Sequence, residues 1–420
     1  MCARLLLLAA LITAASGVTF AQAAIGGDVD SLLGYARDHH PELAAMRHEA
    51  AAAEARIGSA AALPDPMFGV EWRDFTNEAN GGAPNLLPAR VGATRYALTQ
   101  GLPGFGKREL RRDVAAAGAD EAQQRAAATW VDLAWQIKQV YAAHFQQQAR
   151  LDFGHDNLDA LARLEQIAQA RYAGGLAAQQ DVIRARTEHT ALRGELALLE
   201  GDNRQVVARL HGLLGGRPAV ALQAPSRLRP LPSPAHLDGA TLAARLVDRN
   251  PRLAADAARQ AGAEKSRELA YRNRYPDFSV GVAAMQERSR ISSYDLMFEV
   301  SIPLQQDSRR AQEREAERMV DAAQARRAAT LNQVRAELDE SLVALQASQQ
   351  VEALLASSLL PLAELNVQTA LAGYETGKVD FAAVLDALRQ SRQAKEDLVR
   401  ARVAQQQRLA DIERAIGEDL

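Results

Sequence analysis

The chain has 420 residues, of which 5% are aromatic and 24% charged, and a formal net charge of −3. So even a balance excludes the basic footprint of a nucleic-acid binder. Its single cysteine, Cys2, excludes a disulfide framework and a thiolate metal centre. Abundant alanine beside few bulky aromatics points away from a thick globular core and toward helix packed on helix.

In chain order, Met1 to Ala23 comes first. Arg4, the apolar run Leu5 to Ala15 and the small-x-small Ala21-Gln22-Ala23 make residues 1–23 a secretory signal peptide, with a mature chain from Ala24. Cys2 precedes the apolar run, so it is not placed to accept a lipid at the cleavage point. One of the 49 basic residues, Arg4, leaves with the signal, so 48 face 52 acids. No later stretch approaches 18 consecutive apolar residues, so no transmembrane helix is expected.

The remainder repeats itself. "HHPELAAMRHEAAAAEARIGSAAALPDPMFGV" (39–70) matches "RNPRLAADAARQAGAEKSRELAYRNRYPDFSV" (249–280), with Pro41 on Pro251 and Leu43 on Leu253. "RYAGGLAAQQDVIRA" (171–185) matches "GYETGKVDFAAVLDA" (373–387), pairing Tyr172 with Tyr374 and Gly175 with Gly377. Residues 24–215 form the first repeat, 216–234 a Pro/Gly-rich linker, and 235–420 the second repeat.

Each repeat runs helix, two alternating segments, very long helix, glycine turn, helix. Helices are expected over 31–61, 107–172, 178–213, 238–273, 307–373 (kinked at Pro361) and 380–416. The alternating segments are about 67–75, 92–102, 278–287 and 294–303. Phe68, Val70 and Trp72 alternate with Gly69, Glu71 and Arg73; Tyr294, Leu296, Phe298 and Val300 alternate with Asp295, Met297 and Glu299. Period two with one apolar and one polar face is a strand signal, and also the pattern of a barrel strand between lipid and water. Four such strands cannot close a barrel, and open edges are not tolerated in lipid. Three copies would supply twelve. The connections Asn77 to Pro88 and Ser289 to Ser293 are then expected outside the cell.

Gly101-Leu-Pro-Gly-Phe-Gly106-Lys107-Arg108 approaches a phosphate-binding loop. Arg108 replaces the hydroxyl, Pro103 removes an N–H, and the preceding residues alternate rather than form a buried apolar run. The segment reads as a strand passing into a helix. Val182, Ala185, His189, Leu192, Leu196 and Leu199 follow a 3,4 spacing, a coiled-coil seam with His189 as a register-setting polar residue. His39-His40 is a poor metal pair because adjacent residues do not share a helix face. The run Glu313 to Arg318 reads as a solvated face with i,i+4 pairs. No catalytic constellation, metal site or cofactor motif is found, so no enzyme is expected.

"LPDPMFGVEW", "TQGLPGFGKRELRRDVAAA", "RYAGGLAAQQDVIRARTE", "YPDFSVGVAAM", "DLMFEVSIPL" and "AGYETGKVDFAAVLDALRQ" together resemble the outer-membrane efflux proteins of the TolC type, over the whole mature chain and in order. The resemblance implies a mostly α fold with a membrane β-barrel: a trimer with a twelve-stranded barrel continued by a periplasmic α-helical barrel. It implies a passive exit duct, partnered by a periplasmic adaptor and an inner-membrane transporter, in the outer membrane of a Gram-negative bacterium. Gly174, Gly175 and Leu176, with Gly377 and Lys378, match the tips that meet the adaptor. Asp386, Asp181 and Arg184 match the region of the acidic pore constriction, and here the pattern departs. Only the later acid is kept in "AVLD" and only the earlier one in "DVIR". Asp386 either rings the pore or pairs with Arg389 or Arg184. The "PDPM" and "GFGKR" segments lean toward metal-cation efflux. The alternative is a periplasmic coiled-coil adaptor or scaffold, which would share the long helices but not the lipid-facing hairpins.

Overall fold

A computed structural model describes residues 25–78, 81–88, 90–216 and 221–420. The signal peptide at 1–23 lies outside the described residues, as does part of the linker. Nine helices and four strands are seen among the described residues.

The first repeat opens with α1 (Val29–His39) and α2 (Pro41–Ala61). The second opens with α5 (Gly239–Arg249) and α6 (Pro251–Arg272). Each pair was expected as one helix. The break falls on His40 and on Asn250, both extended, because a residue before proline is driven out of the helical region. The caps repeat as well: Asp28 accepts from Ser31 N at 2.8 Å and Asp238 from Thr241 N at 2.9 Å.

The long helices set the dimensions. α3 (Lys107–Ala173) has 67 residues, hence about 100 Å. Alongside it lie α2 toward the strands and α4 (Gln179–Leu213) toward the far end. In the second repeat α7 (Gln306–Leu354) continues into α8 (Leu360–Glu375), and α9 (Phe381–Ile416) returns. The kink expected at Pro361 takes the form of a π-helical turn, Leu355–Leu359. Proline offers no N–H to the carbonyl four residues back, and a widened turn absorbs that loss.

The helices form a single curved layer. α3 packs on α6 in one half and on α9 in the other, while α7 and α8 pack on α6 and α9. The edges of the layer are therefore α2 and α4 on one side, α7 and α8 on the other. α1 and α5 lie on one face of this layer midway along. Leu32, Leu33 and Ala36 sit on Leu133 and Ile137 of α3. Leu242 and Leu246 sit on Leu338 of α7 and Ile412 of α9. Each such leucine contributes roughly 1.5–3 kcal/mol by leaving water. The run Glu313 to Arg318 is not wholly solvated: Glu313 is buried and held by both arms of Arg274. Arg274 comes from the strand-entry loop, out of reach of any reading along one helix.

The strands are β1 (Met67–Arg73), β2 (Ala93–Leu102), β3 (Asp277–Glu287) and β4 (Arg290–Ser301), one antiparallel sheet in the order β1-β2-β3-β4. Phe68, Leu98, Val282 and Leu296 form one row on the apolar face; Gly69, Ala97, Ala283 and Asp295 form a row on the other. β4 begins at Arg290, so Ser289 to Ser293 is not a loop. The hairpin closes through Arg288 and Ser289, with Arg288 in the left-handed region. A bulge opposite Met285/Gln286 puts Ile291 out of phase with Tyr294, which hides the strand's beginning from a period-two reading.

Candidate functional site

Both ends of the helical layer carry features that bear on function. At the sheet, the apolar face is bare: Trp72, Leu98, Val282, Leu296 and Phe298 are exposed. β1 and β4 each present an unpaired edge. Bare apolar alternation and open edges together have no stable resting state in water.

The passage from strand to helix is built on charge. Phe105 and Gly106 both have positive φ, which turns the chain into α3. Gly104 approaches so closely that an added Cβ would meet Pro276 O at 2.6 Å. Lys107, only 3% exposed, donates to Asp277 at 2.9 Å and to Tyr275 O at 2.8 Å. Arg108 donates through two nitrogens to Ala61 O. Of the basic residues that resembled a phosphate loop, Lys107 is thus consumed in joining the two repeats and Arg108 in tying α3 to the end of α2.

At the opposite end the two helical hairpins turn in the same way. Gly175 and Gly377 both have φ +74°, with Leu176 N donating to Arg171 O at 2.8 Å and Lys378 N to Gly373 O at 2.8 Å. This is a helix C-terminal turn that requires a residue free of Cβ strain. Gly174 caps α3, and Leu176 and Lys378 stand exposed beside it.

The tips of the two repeats are held together. Arg171 lies over the Tyr374 ring at 4.6 Å, donates to Leu176 O at 3.2 Å, and reaches the Gly377 turn. Its Nε and Nη1 have no partner among the described residues. The Tyr374 hydroxyl donates to Asp181 at 3.4 Å. Burial first, and then Asp181, push the Tyr374 phenol up from its ordinary value. Beneath them Phe381, Val384, Leu164 and Val182 form a core shared by the repeats. The sequence match paired Tyr172 with Tyr374, yet Tyr172 is 46% exposed and Tyr374 only 2%. The duplicated positions have diverged, and nothing along the chain marked Arg171 or Tyr374 as a bridge.

Asp386 projects outward, its side chain 67% exposed. Arg389 stands 3.9 Å from it but forks onto Glu188 at 3.0 and 2.6 Å. Arg184 makes no ion pair among the described residues and is exposed. Asp181 faces the second repeat, while Asp386 faces away. His189 is half-buried on the seam formed by Val182, Ala185, Leu192, Leu196 and Leu199. No cluster of three or more His, Cys, Asp or Glu able to hold a metal is found among the described residues.

The family model for outer membrane efflux proteins matches residues 32–216 and again 242–418. This chain is an outer-membrane efflux protein. Among relatives of the efflux protein is the cobalt-zinc-cadmium resistance protein CzcC of Cupriavidus metallidurans, 26% identical over 375 residues, 87% of this chain and 84% of the relative. Its fold is that of the outer-membrane protein VceC of Vibrio cholerae, with a TM-score of 0.79 at 17% identity over 93% of this chain and 96% of VceC. CusC also gives 0.79, at 16% identity over 97% and 96% of the two chains. The efflux protein therefore belongs to the outer membrane of a Gram-negative cell, with its helical layer in the periplasm. The lipid-facing hairpins, and not the long helices shared with an adaptor, were the distinguishing feature.

Proposed function

We propose that three copies close a twelve-stranded barrel and a helical tube, forming the passive exit duct of a tripartite efflux system. The observation that supports it best is that sheet and helical layer are open on the same two sides. β1 continues from α2 at one edge, and β4 continues into α7 at the other. A head-to-tail ring satisfies both at once, pairing β4 of one copy with β1 of the next and closing without a free edge. The edge helices agree with this. Gln306–Glu375 is long and apolar enough to cross a membrane by composition, yet it is scarcely buried. Val351, Leu354, Leu362 and Leu365 are exposed along it, as expected of a wall seam covered by a neighbour.

In this reading the chain has no catalytic role. An inner-membrane transporter supplies the energy, and a periplasmic adaptor docks on the tips at Gly174, Gly175 and Leu176 and at Gly377 and Lys378. Metal cations are the proposed substrate, on the strength of the likeness to CzcC. Asp386, with Asp181 and Arg184 near it, shapes the entrance. Residues 24–215 and 235–420 act as the two wall-building repeats.

Cross-linking in detergent tests the ring, and a pattern that stops at monomer or dimer removes its basis. Gly175→Val and Gly377→Val test the docking. Valine at φ +74° distorts the tip, so export should fall while the barrel still inserts; normal export in both variants ends the tip contact.

A further inference from the structure

A cleft between the two repeats, midway along the helical layer, has no part in the reading above. It encloses about 300 Å³ and is lined by Arg37 of α1, by Trp130, Trp135 and Lys138 of α3, and by Arg414 and Asp419 at the end of the chain. Two guanidiniums lie on its indoles, Arg37 at 4.4 Å from the Trp130 ring and Arg414 at 4.3 Å from the Trp135 ring. Such stacking fixes the plane of each fork.

The two arginines differ in what they have left to give. Arg414 is paired with Asp132, which accepts from its Nε at 2.7 Å and is shared with Arg252. Lys138 is neutralised by Glu413 at 2.7 Å and by Asp419. Glu413 and Glu418 are further satisfied by Arg229 and Arg245. The guanidinium of Arg37 has no hydrogen bond and no ion pair within 4 Å among the described residues, and only the more distant carboxylate of Asp419, itself held by Lys138, acts on it. Every other charged side chain lining the cleft has an ion-pair partner. One oriented cation remains at the rim, beside an indole wall.

Its place in the fold restricts what can reach it. Trp130 follows the start of α3 by 23 residues, which puts it about 35 Å from the strands. Headgroups extend only roughly 5–8 Å beyond the hydrocarbon core, so membrane lipid does not reach the cleft. α1 and α5 must lie outside the wall, since the same layer stacked inside would fill the lumen. The cleft sits where α3 meets α9, in the middle of the layer, so a neighbouring copy at either edge leaves it open.

We propose that this cleft binds peptidoglycan, with an amino-sugar ring against the indole edges and a lactyl or stem-peptide carboxylate on the Arg37 fork. The chemistry matches in each part. A planar fork pairs with a carboxylate through two parallel bonds, and Trp130 offers an apolar wall with a polar edge to a sugar, the Trp135 Nε1 being spent on Asp411. The volume is at the low end for a small-ligand pocket and too confined for a folded partner. Three copies would moor the duct to the cell wall at one height. This rests on reading the chain as a tube that crosses the periplasm.

The test is co-sedimentation of the detergent-solubilised full chain with isolated sacculi. Wild type should pellet with them; Arg37→Glu, at an exposed position, should lower the bound fraction at least fivefold with an unchanged helical spectrum. Amidating the carboxylates of the sacculi should have the same effect on wild type. Wild type left in the supernatant, equal pelleting of the variant, or indifference to amidation overturns the proposal. So does an Arg37-dependent association with lipopolysaccharide micelles but not with sacculi. Planar-bilayer conductance, read on the same preparations, judges the duct separately. Conducting protein that ignores sacculi sinks only the cleft, and sacculus binding without conductance sinks only the duct.

Discussion

Asp386 and Arg389 are three residues apart on one helix face, so a local pair was a natural expectation. The guanidinium forks onto Glu188 from the other repeat and keeps only a long ion pair, 3.9 Å, with Asp386, which leaves that carboxylate largely in solvent. In a threefold ring the three exposed carboxylates would act on a cation at roughly 1 kcal/mol per unit charge at contact distance in water. Asp386→Asn should therefore weaken block by divalent cations in planar bilayers by about tenfold or more. Unchanged block would place the constriction elsewhere. A second residue-scale effect belongs to His144, buried on α3, where loss of solvent pushes its imidazole down from its ordinary value. The unfolded chain then binds this proton at a higher pH than the folded one. Stability is fully present above about pH 6.5 and declines as pH falls below it, by up to about 1.4 kcal/mol for each unit of depression. The denaturant midpoint should drop between pH 7.5 and 5.5 in wild type and drop less in His144→Gln. Equal slopes would show that other groups set the acid sensitivity.

Among the elements, α8 with its preceding π-turn is sparsely buried, and its exposed leucines Leu359, Leu362 and Leu365 repeat at helical spacing. Alone it would be an aggregation hazard. In the proposed ring it is half of an interface, and each leucine covered by the next copy would contribute roughly 1.5–3 kcal/mol. The double change Leu362→Glu and Leu365→Glu should leave the protomer's secondary structure intact, since neither side chain faces its own core. It should shift detergent-solubilised protein from trimer toward monomer by size-exclusion light scattering. A variant that remained fully trimeric would mean that the strands alone hold the ring.

For the whole molecule, both hairpins rise from the same end of the helical layer, so their turns point away from the periplasm. An epitope placed beside Gly82, in the long β1–β2 connection, should be reached by antibody on intact cells. Staining no higher than that of a periplasmic control would invert the topology. The short turn at Arg288 and Ser289 accepts no such insertion without loss of register.

Much of this architecture was legible in the sequence because it is local. Alternation over ten residues specifies which strand face meets lipid, Gly175 and Gly377 specify where a helix reverses, and Pro41 and Pro251 specify where one breaks. These are properties of the backbone and of neighbours within one turn or one pleat. The sequence also determined that the chain is a duplication, since the same order of elements recurs near 200 residues later. The tertiary structure alone decided what joins the copies of that repeat. Arg171 reaches Tyr374 and Gly377, Glu188 captures Arg389, and Lys107 is spent on Asp277, while Arg274 covers Glu313 within the second repeat. Gly377, Arg389, the run from Glu313 and Lys107 each stood out along the chain, but none with the partner it takes in the fold. A charged side chain takes the partner that packing brings within about 4 Å, and packing between distant segments is set by how the helices of the two repeats interlock in one layer. That choice leaves no periodic trace along the chain.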